Sequence, residues 1–143
     1  MDLTENFTLE ELIETRHGEN TPTAEHIENL KLLAQKVLQP LRDNVGKVVV
    51  SSGFRCERVN KIVGGDTTSQ HLKGEAADVI CVNNRQAFIY IANNLPFDQL
   101  IWEYGNDKAP SWIHVSFKRV GNRGQILRKQ HGKGYEPFKP PRI

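Results

Sequence analysis

Residues 69–82, SQHLKGEAADVICV, run from a polar loop directly into a series of small and β-branched side chains. That series, residues 76–82, is suited to a central strand of a sheet. His71 lies on the loop, where Gly74 allows the chain to turn, and Asp78 lies near the beginning of the strand. The loop can therefore fold back across the end of the strand and bring the imidazole to the carboxylate.

Helical signals precede this stretch. Thr8 and Glu11 have capping-box spacing, which predicts a short first helix. A longer helix is predicted to begin near Thr21 or Thr23, and Pro40 is expected to kink or end it. Its apolar positions follow helical spacing and predict a face toward the core: Ile27, Leu30, Ala34, Val37, Leu38 and Leu41.

Strand signals lie on both sides of the same stretch. Residues 47–51 contain three consecutive valines, which are typical of a buried strand. Residues 57–63 are expected to form a short helix, and Asn83 or Asn84 is expected to cap another. Further strands are predicted at residues 98–104, 112–118 and 124–128. Because helices precede and interrupt consecutive strands, the pattern favours an α+β fold with an antiparallel sheet.

The composition indicates a globular protein. The chain has 143 residues, 38% hydrophobic and 25% charged, which suits one domain over residues 1–143 and excludes disordered and collagen-like classes. No apolar run approaches the roughly 20 residues that cross a bilayer, and the first residues lack the regions of a signal peptide. Cys56 and Cys81 are too few for a disulfide framework. We therefore expect synthesis in the cytoplasm without a signal peptide, and no membrane partner.

Positive charge is concentrated in the C-terminal tail. Residues 118–143 hold eight basic residues and one acidic residue, Glu136, although the whole chain has a net charge of only +2. Such a tail could contact anionic cell-wall polymer, a negative face of its own domain or nucleic acid. No nucleic-acid partner is expected, because no known binding motif accompanies the charge.

Three side chains form a candidate metal site: His71, Asp78 and His114, the last in the predicted strand WIHVSF. Imidazole and carboxylate are zinc ligands, and a catalytic zinc usually takes three protein ligands. Taken alone the pattern is weak, because a histidine on a strand is more often a packed core residue than a ligand.

Three motifs read together carry more information. They are SSGFRCERVNKIVGG at residues 51–65, SQHLKGEAAD at 69–78 and FDQLIWEYGNDKAPSWIHVSF at 97–117. In order and spacing they resemble the zinc D-Ala-D-Ala carboxypeptidases and related phage peptidoglycan peptidases, whose fold is shared with hedgehog signalling domains. The resemblance covers about residues 7–130, beyond which the basic tail continues. It implies an α+β domain in which N-terminal helices pack on a central antiparallel sheet.

The resemblance also implies roles for site residues. Zinc is expected to be bound by His71, Asp78 and His114. Many members carry an acid three residues before the last histidine ligand, but here that position is Ser111. Glu103 is the expected alternative, since hedgehog-like members place a glutamate in a similar strand. Asp107 is a poorer alternative, because the turn around it is expected to be mobile.

Residues near the first two motifs are expected to meet the substrate. Arg55, in SGFR, is expected to polarise the substrate carbonyl or bind a carboxylate, for which a planar guanidinium is suited. Ser69 and Gln70 are expected to orient the loop of His71 by hydrogen bonds and are assigned to substrate binding.

The expected function is hydrolysis of peptide bonds next to D-amino acids in peptidoglycan stem peptides, either as a carboxypeptidase or as an endolysin-type endopeptidase. A monomer of phage or prophage origin is expected, acting on the cell wall after release or export by another route. Ser111 leaves open a non-catalytic, hedgehog-like zinc module that binds wall peptide. A zinc hydrolase of the same fold that acts on another peptide or dipeptide is also open.

Overall fold

Five α-helices and a six-stranded sheet form the fold in the computed structural model, which describes residues 1–142. The helices are α1 (Leu9–Ile13), α2 (Ala24–Leu33), α3 (Gln39–Val45), α4 (Glu57–Ile62) and α5 (Asn84–Asn94). The strands are β1 (Val48–Ser52), β2 (Ala76–Cys81), β3 (Gln99–Glu103), β4 (Trp112–Ser116), β5 (Gln125–Lys129) and β6 (Glu136–Pro137). The predicted α+β class is confirmed.

The sheet has the order β1-β2-β4-β3-β5-β6. Neighbouring strands are antiparallel except β3 and β5, which are parallel. This exception differs from the expected antiparallel sheet. It arises because β4 ends beside the beginning of β3, so a short loop can deliver the chain to the same end of β3 on its other side. The two-residue strand β6 was not predicted.

Helices α1, α2, α3 and α5 and the strands β1–β5 share one apolar core. Alternation along the strands sends Val79, Trp102 and Ile113 to that core, where each is fully buried. Phe88 of α5 contacts Trp102 edge to face, with ring centroids 5.0 Å apart. The alternate residues, among them Asp78, therefore lie on the sheet face that is turned away from this core.

The N-terminal helices follow their predicted signals. Thr8 and Glu11 form the expected capping box, and Thr23 caps α2. Pro40 does not end the second helix: a π-helical segment, Ala34–Leu38, comes before it and leads into α3. The wider turn of the π-helical segment shifts the backbone hydrogen-bond pattern directly before Pro40, which has no N–H to donate. Among residues 1–142, no helix combines the length and apolar character needed to cross a membrane.

Strand β1 is less buried than its three valines predict. Val48 is buried, but Val49 is 46% exposed. The prediction of a wholly buried strand is wrong, because β1 lies at the edge of the sheet and one of its faces lacks a covering layer.

The basic tail is tied to the domain by acidic side chains. Asp98 is fully buried, and its carboxylate receives hydrogen bonds from the Nη2 and Nε of Arg123 at 2.7 and 3.1 Å. Arg128 pairs with Asp107 through Nη1 and Oδ1 at 2.7 Å. Part of the positive charge of the tail is thus used within the molecule.

Candidate metal centre

A short 3₁₀-helix, Gln70–Lys73, positions the first candidate ligand. The Oγ of Ser69 accepts a hydrogen bond from the backbone N–H of His71 at 3.2 Å and so caps this turn. Gly74 ends it with φ of +73°, and a Cβ at that residue would lie 2.7 Å from the carbonyl oxygen of His26. Glycine is therefore required to bring the loop back to β2.

The ring of His71 is held in one tautomer. Its Nδ1 lies 2.7 Å from the carbonyl oxygen of Gly53, and the side chain is almost completely buried. A carbonyl only accepts, so Nδ1 carries the proton and Nε2 keeps its lone pair. Burial lowers the pKa of His71, which favours the neutral imidazole that metal binding needs.

The other two candidate ligands come from adjacent strands. Asp78 of β2 and His114 of β4 are register partners, with Asp78 Oδ1 3.2 Å from His114 Nδ1. The same carboxylate oxygen lies 3.4 Å from the Nε2 of His71. Burial opposes the charge on Asp78, but the two imidazoles reverse this effect and hold its pKa well below its usual range.

These three groups fit a zinc ion. One donor atom from each of His71, Asp78 and His114 lies within 4.8 Å of the others. Ligands placed at zinc bond lengths around a tetrahedral centre are about 3.3–3.6 Å apart. The 3.4 Å between Asp78 and His71 lies within this range, and the 3.2 Å between Asp78 and His114 lies just below it. Two imidazoles and one carboxylate are also a donor set that zinc accepts in catalytic sites.

Glu103 ends β3 on the same sheet face as His114. Its side chain is 7% exposed, and no donor within residues 1–142 forms a hydrogen bond to its carboxylate. Burial raises the pKa of Glu103 to about 7, with a further increase from Asp78, while His114 and Lys129 act in the opposite direction. A carboxyl with such a pKa can take up and release a proton near neutral pH.

Arg55 follows β1 and is half-buried near the same centre. Its Nη2 lies 3.4 Å from the Oγ of Ser69, whereas its buried Nε has no hydrogen-bond partner among the residues described. Burial lowers the pKa of Arg55, although the charge of Asp78 opposes this change. The guanidinium thus retains at least one free donor.

The remaining predicted site residues have different surroundings. Gln70 donates from Nε2 to Glu75 Oε1 at 3.4 Å, while its Oε1 is buried and unpaired within the described chain. Ser111 is exposed, and its backbone N–H donates to the carbonyl of Glu103 at 2.9 Å. The side chain of Ser111 cannot act as an acid, whereas that of Glu103 can.

Sequence reasoning did not identify an aromatic group beside Glu103. Tyr104 has φ of +56°, in the left-handed region, and its ring centroid lies 5.2 Å from Trp112 and 4.5 Å from His131. The Nζ of Lys129 lies 6.0 Å from the ring of Tyr104 and 5.9 Å from that of Tyr135. The sequence contains no local signal for this group, because it is assembled from separate strands.

The sequence of this chain matches a known protein family. The family model described as Peptidase M15 matches residues 5–116, which include the three candidate ligands together with Arg55 and Glu103. No curated protein matches the chain. The matched region ends with β4, so β5 and β6 lie outside it.

Proposed function

This chain belongs to the peptidase M15 family, whose members are zinc enzymes, and on that premise we propose that it hydrolyses peptide bonds next to D-amino acids in peptidoglycan stem peptides. The observation that carries the proposal is the convergence of His71, Asp78 and His114 within 4.8 Å, beside a buried glutamate. All of these side chains come from one copy of the chain, so we expect a monomer to be sufficient.

His71, Asp78 and His114 would hold the zinc ion. A zinc ion at this place supplies Lewis-acid chemistry, which polarises a substrate carbonyl and makes water a better nucleophile. The chain prepares the donors for it: Gly53 fixes the proton of His71 on Nδ1, and Asp78 stays ionised between two imidazoles. His71 and Asp78 therefore need not lose a proton before they bind the ion.

Glu103 is proposed to move the proton. Peptide hydrolysis requires that water lose a proton and that the leaving nitrogen gain one. A general base works best when its pKa is near the working pH, and burial raises the pKa of Glu103 to about 7. Glu103 can therefore accept the proton of the attacking water and pass it to the leaving amine.

Arg55 is proposed to bind an oxygen of the peptide. Its Nη2 contacts only the Oγ of Ser69 and its Nη1 has no hydrogen-bond partner among residues 1–142, so this end of the guanidinium can donate to a substrate oxygen. We favour the carbonyl oxygen of the scissile bond, on which negative charge develops during attack. Ser69 supports the guanidinium through its Oγ, and we propose that Ser69 and Gln70 line the substrate path beside it.

Cleavage inside the stem peptide is favoured over removal of a terminal D-Ala. Opening a cross-linked wall requires an internal bond to be cut, whereas trimming its free ends leaves the network intact. This proposal places the activity at the cell wall, after release of the protein or its export by another route.

The test is incubation of the purified protein with defined muropeptides, analysed by mass spectrometry of the products. We expect hydrolysis that stops with a chelator and returns when zinc is added. The product masses distinguish a terminal D-Ala from an internal cut, and peptides with only L-amino acids serve as the control. Intact muropeptides that nevertheless bind the zinc-loaded protein would instead favour a non-catalytic zinc module.

A further inference from the structure

The part of the chain after residue 116, where the family match ends, comes back to the candidate site. Lys129, the last residue of β5, is the register partner of Glu103 across the parallel pair of β3 and β5. Its Nζ donates to the carbonyl of Gln130 at 3.2 Å and also to the carbonyl of Lys133. The turn between β5 and β6 is therefore anchored at the end of the sheet where Glu103 lies.

Tyr135 is presented by this turn. The Nζ of Lys129 lies 5.9 Å from its ring, which is a cation–π contact. The residue is nevertheless 58% exposed, and its hydroxyl finds no hydrogen-bond partner in the described part of the chain. An exposed aromatic ring that is held by a cation and keeps a free hydroxyl is suited to contact a ligand.

Charged groups of the candidate site act on the pKa of Tyr135. Partial burial of the phenol raises the pKa of Tyr135, and the charges of Glu103, Asp78 and Asp66 raise it further. In turn, Tyr135 influences the pKa of Arg55. The phenol thus lies within electrostatic range of the metal ligands, the candidate base and the candidate oxygen-binding arginine. It also remains protonated near neutral pH and is available as a donor.

The sheet order places Tyr135 and Arg55 on two sides of the centre. Arg55 follows β1, which lies on one side of the ligand-bearing strands β2 and β4, whereas Tyr135 precedes β6 on the other side. A peptide lying across the centre would meet the guanidinium from one side and the phenol from the other. The Nη1 of Arg55 and the hydroxyl of Tyr135 each have no hydrogen-bond partner within residues 1–142.

We propose that Tyr135 is a substrate-binding residue of this site, whose hydroxyl donates a hydrogen bond to a carbonyl or carboxylate oxygen of the bound peptide. This inference rests on the proposed function, since the ligand is the same peptide. It adds a residue from the C-terminal segment to a site otherwise built from residues 5–116.

The decisive variant is Tyr135→Phe, which removes only the hydroxyl and retains the ring beside Lys129. Tyr90→Phe is the matched control, because Tyr90 lies on α5 and packs against the core on the other face of the sheet. We expect Tyr135→Phe to raise the KM for a muropeptide about three- to tenfold, the usual effect of one lost hydrogen bond to an uncharged donor. The zinc content and the melting temperature should not change.

A binding measurement provides a second readout that does not depend on turnover. In a Glu103→Gln background, calorimetric titration with the same muropeptide should show a similar three- to tenfold increase in Kd when Tyr135→Phe is added. A muropeptide whose terminal carboxylate is amidated distinguishes the two acceptors. If the effect of Tyr135→Phe persists with that peptide, the oxygen is a carbonyl; if it disappears, the oxygen is the carboxylate.

Two failures can be distinguished. If the wild-type protein cleaves the muropeptide but Tyr135→Phe and Tyr135→Ala keep the wild-type KM and Kd, this inference alone is overturned. If the zinc-loaded wild type neither cleaves nor binds any muropeptide, the proposed function is overturned, and the role of Tyr135 with it.

Discussion

Glu103 and Lys129 are register partners across the only parallel strand pair in the part of the sheet that the structure describes. Burial raises the pKa of Glu103 to about 7, and the positive charge of Lys129 acts against that increase. Glu103 lies within residues 5–116, whereas Lys129 lies beyond them. The C-terminal strand therefore influences the acid that we propose as the proton carrier.

Removal of any one metal ligand should abolish zinc binding. We expect about one zinc per chain in the wild type, in line with a three-ligand catalytic site, and little in His71→Ala, Asp78→Ala or His114→Ala. His17→Ala is the control, since His17 is not part of the cluster. Elemental analysis measures the metal, and full zinc in all three ligand variants would refute the proposed centre. Because the site joins a loop to two strands, chelation should also lower the melting temperature.

The second prediction concerns proton transfer by Glu103. Glu103→Gln retains the size of the side chain but cannot accept a proton, so turnover should fall about 10²- to 10⁴-fold. The zinc content should be unchanged, because Glu103 is not among the three clustered donors. Asp107→Asn is the control: its carboxylate is 91% exposed and pairs with Arg128. Near-normal turnover of Glu103→Gln would exclude Glu103 as the base.

The third prediction concerns the oxygen bound by Arg55. If the guanidinium contacts the developing oxyanion, Arg55→Lys should chiefly lower kcat, by about 10²-fold, while KM changes little. A change mainly in KM would instead indicate binding of a ground-state carboxylate. Arg58→Lys is the control, because Arg58 donates to the backbone carbonyl of Glu19 and lies outside the cluster. Unaltered kinetics of Arg55→Ala would leave Arg55 with a structural role only.

The fourth prediction concerns the pH dependence of stability at Asp98. Burial opposes the charge of Asp98, but its bonds to Arg123 outweigh burial and lower its pKa to about 2. The carboxylate therefore stabilises the fold above the unfolded pKa of about 3.9, and this contribution is lost as the pH falls toward 2. Asp98→Asn should cost about 1–2 kcal/mol in the free energy of unfolding at pH 7, since Arg123 is partly solvated.

Denaturant unfolding at pH 7 and at pH 2–3 measures the effect of Asp98→Asn. The difference from the wild type should be largest at neutral pH and should narrow in acid, whereas Asp43→Asn, at an exposed residue, should cost less at both. A difference that stays the same at the two pH values would show that the ionised form of Asp98 does not contribute.

Local patterns predicted much of the fold. The capping box of Thr8 and the start of α2 at Thr23 depend on neighbours three residues away, so their signals are contained in short segments. The proximity of His71 to Asp78 follows similarly from a loop that runs directly into a strand. His114 required the family resemblance, because nothing local indicates that β4 pairs with β2.

Features that depend on distant partners were not predicted. Val49 is the same residue type as its two less exposed neighbours, but its exposure depends on β1 being an edge strand. The parallel placement of β5 depends on the route that the chain takes around Asp98. Tyr135 lies near Glu103 only because β5 pairs with β3 and carries the following turn to that end of the sheet.

The hydrogen bond from His71 to Gly53 also limits which substitutions the chain can tolerate. The acceptor is a main-chain carbonyl, so no substitution of a side chain removes it. Only a shift of the backbone can move it away from His71. A Cβ at Gly53 would lie 2.2 Å from the carbonyl oxygen of Leu12, which is itself bonded to the N–H of Phe54 at 2.8 Å. In a library of random variants, substitutions at position 53 should therefore be depleted, although glycine has no side chain whose contacts could be lost. The tautomer of the candidate ligand His71 thus depends partly on how closely α1 packs against Gly53.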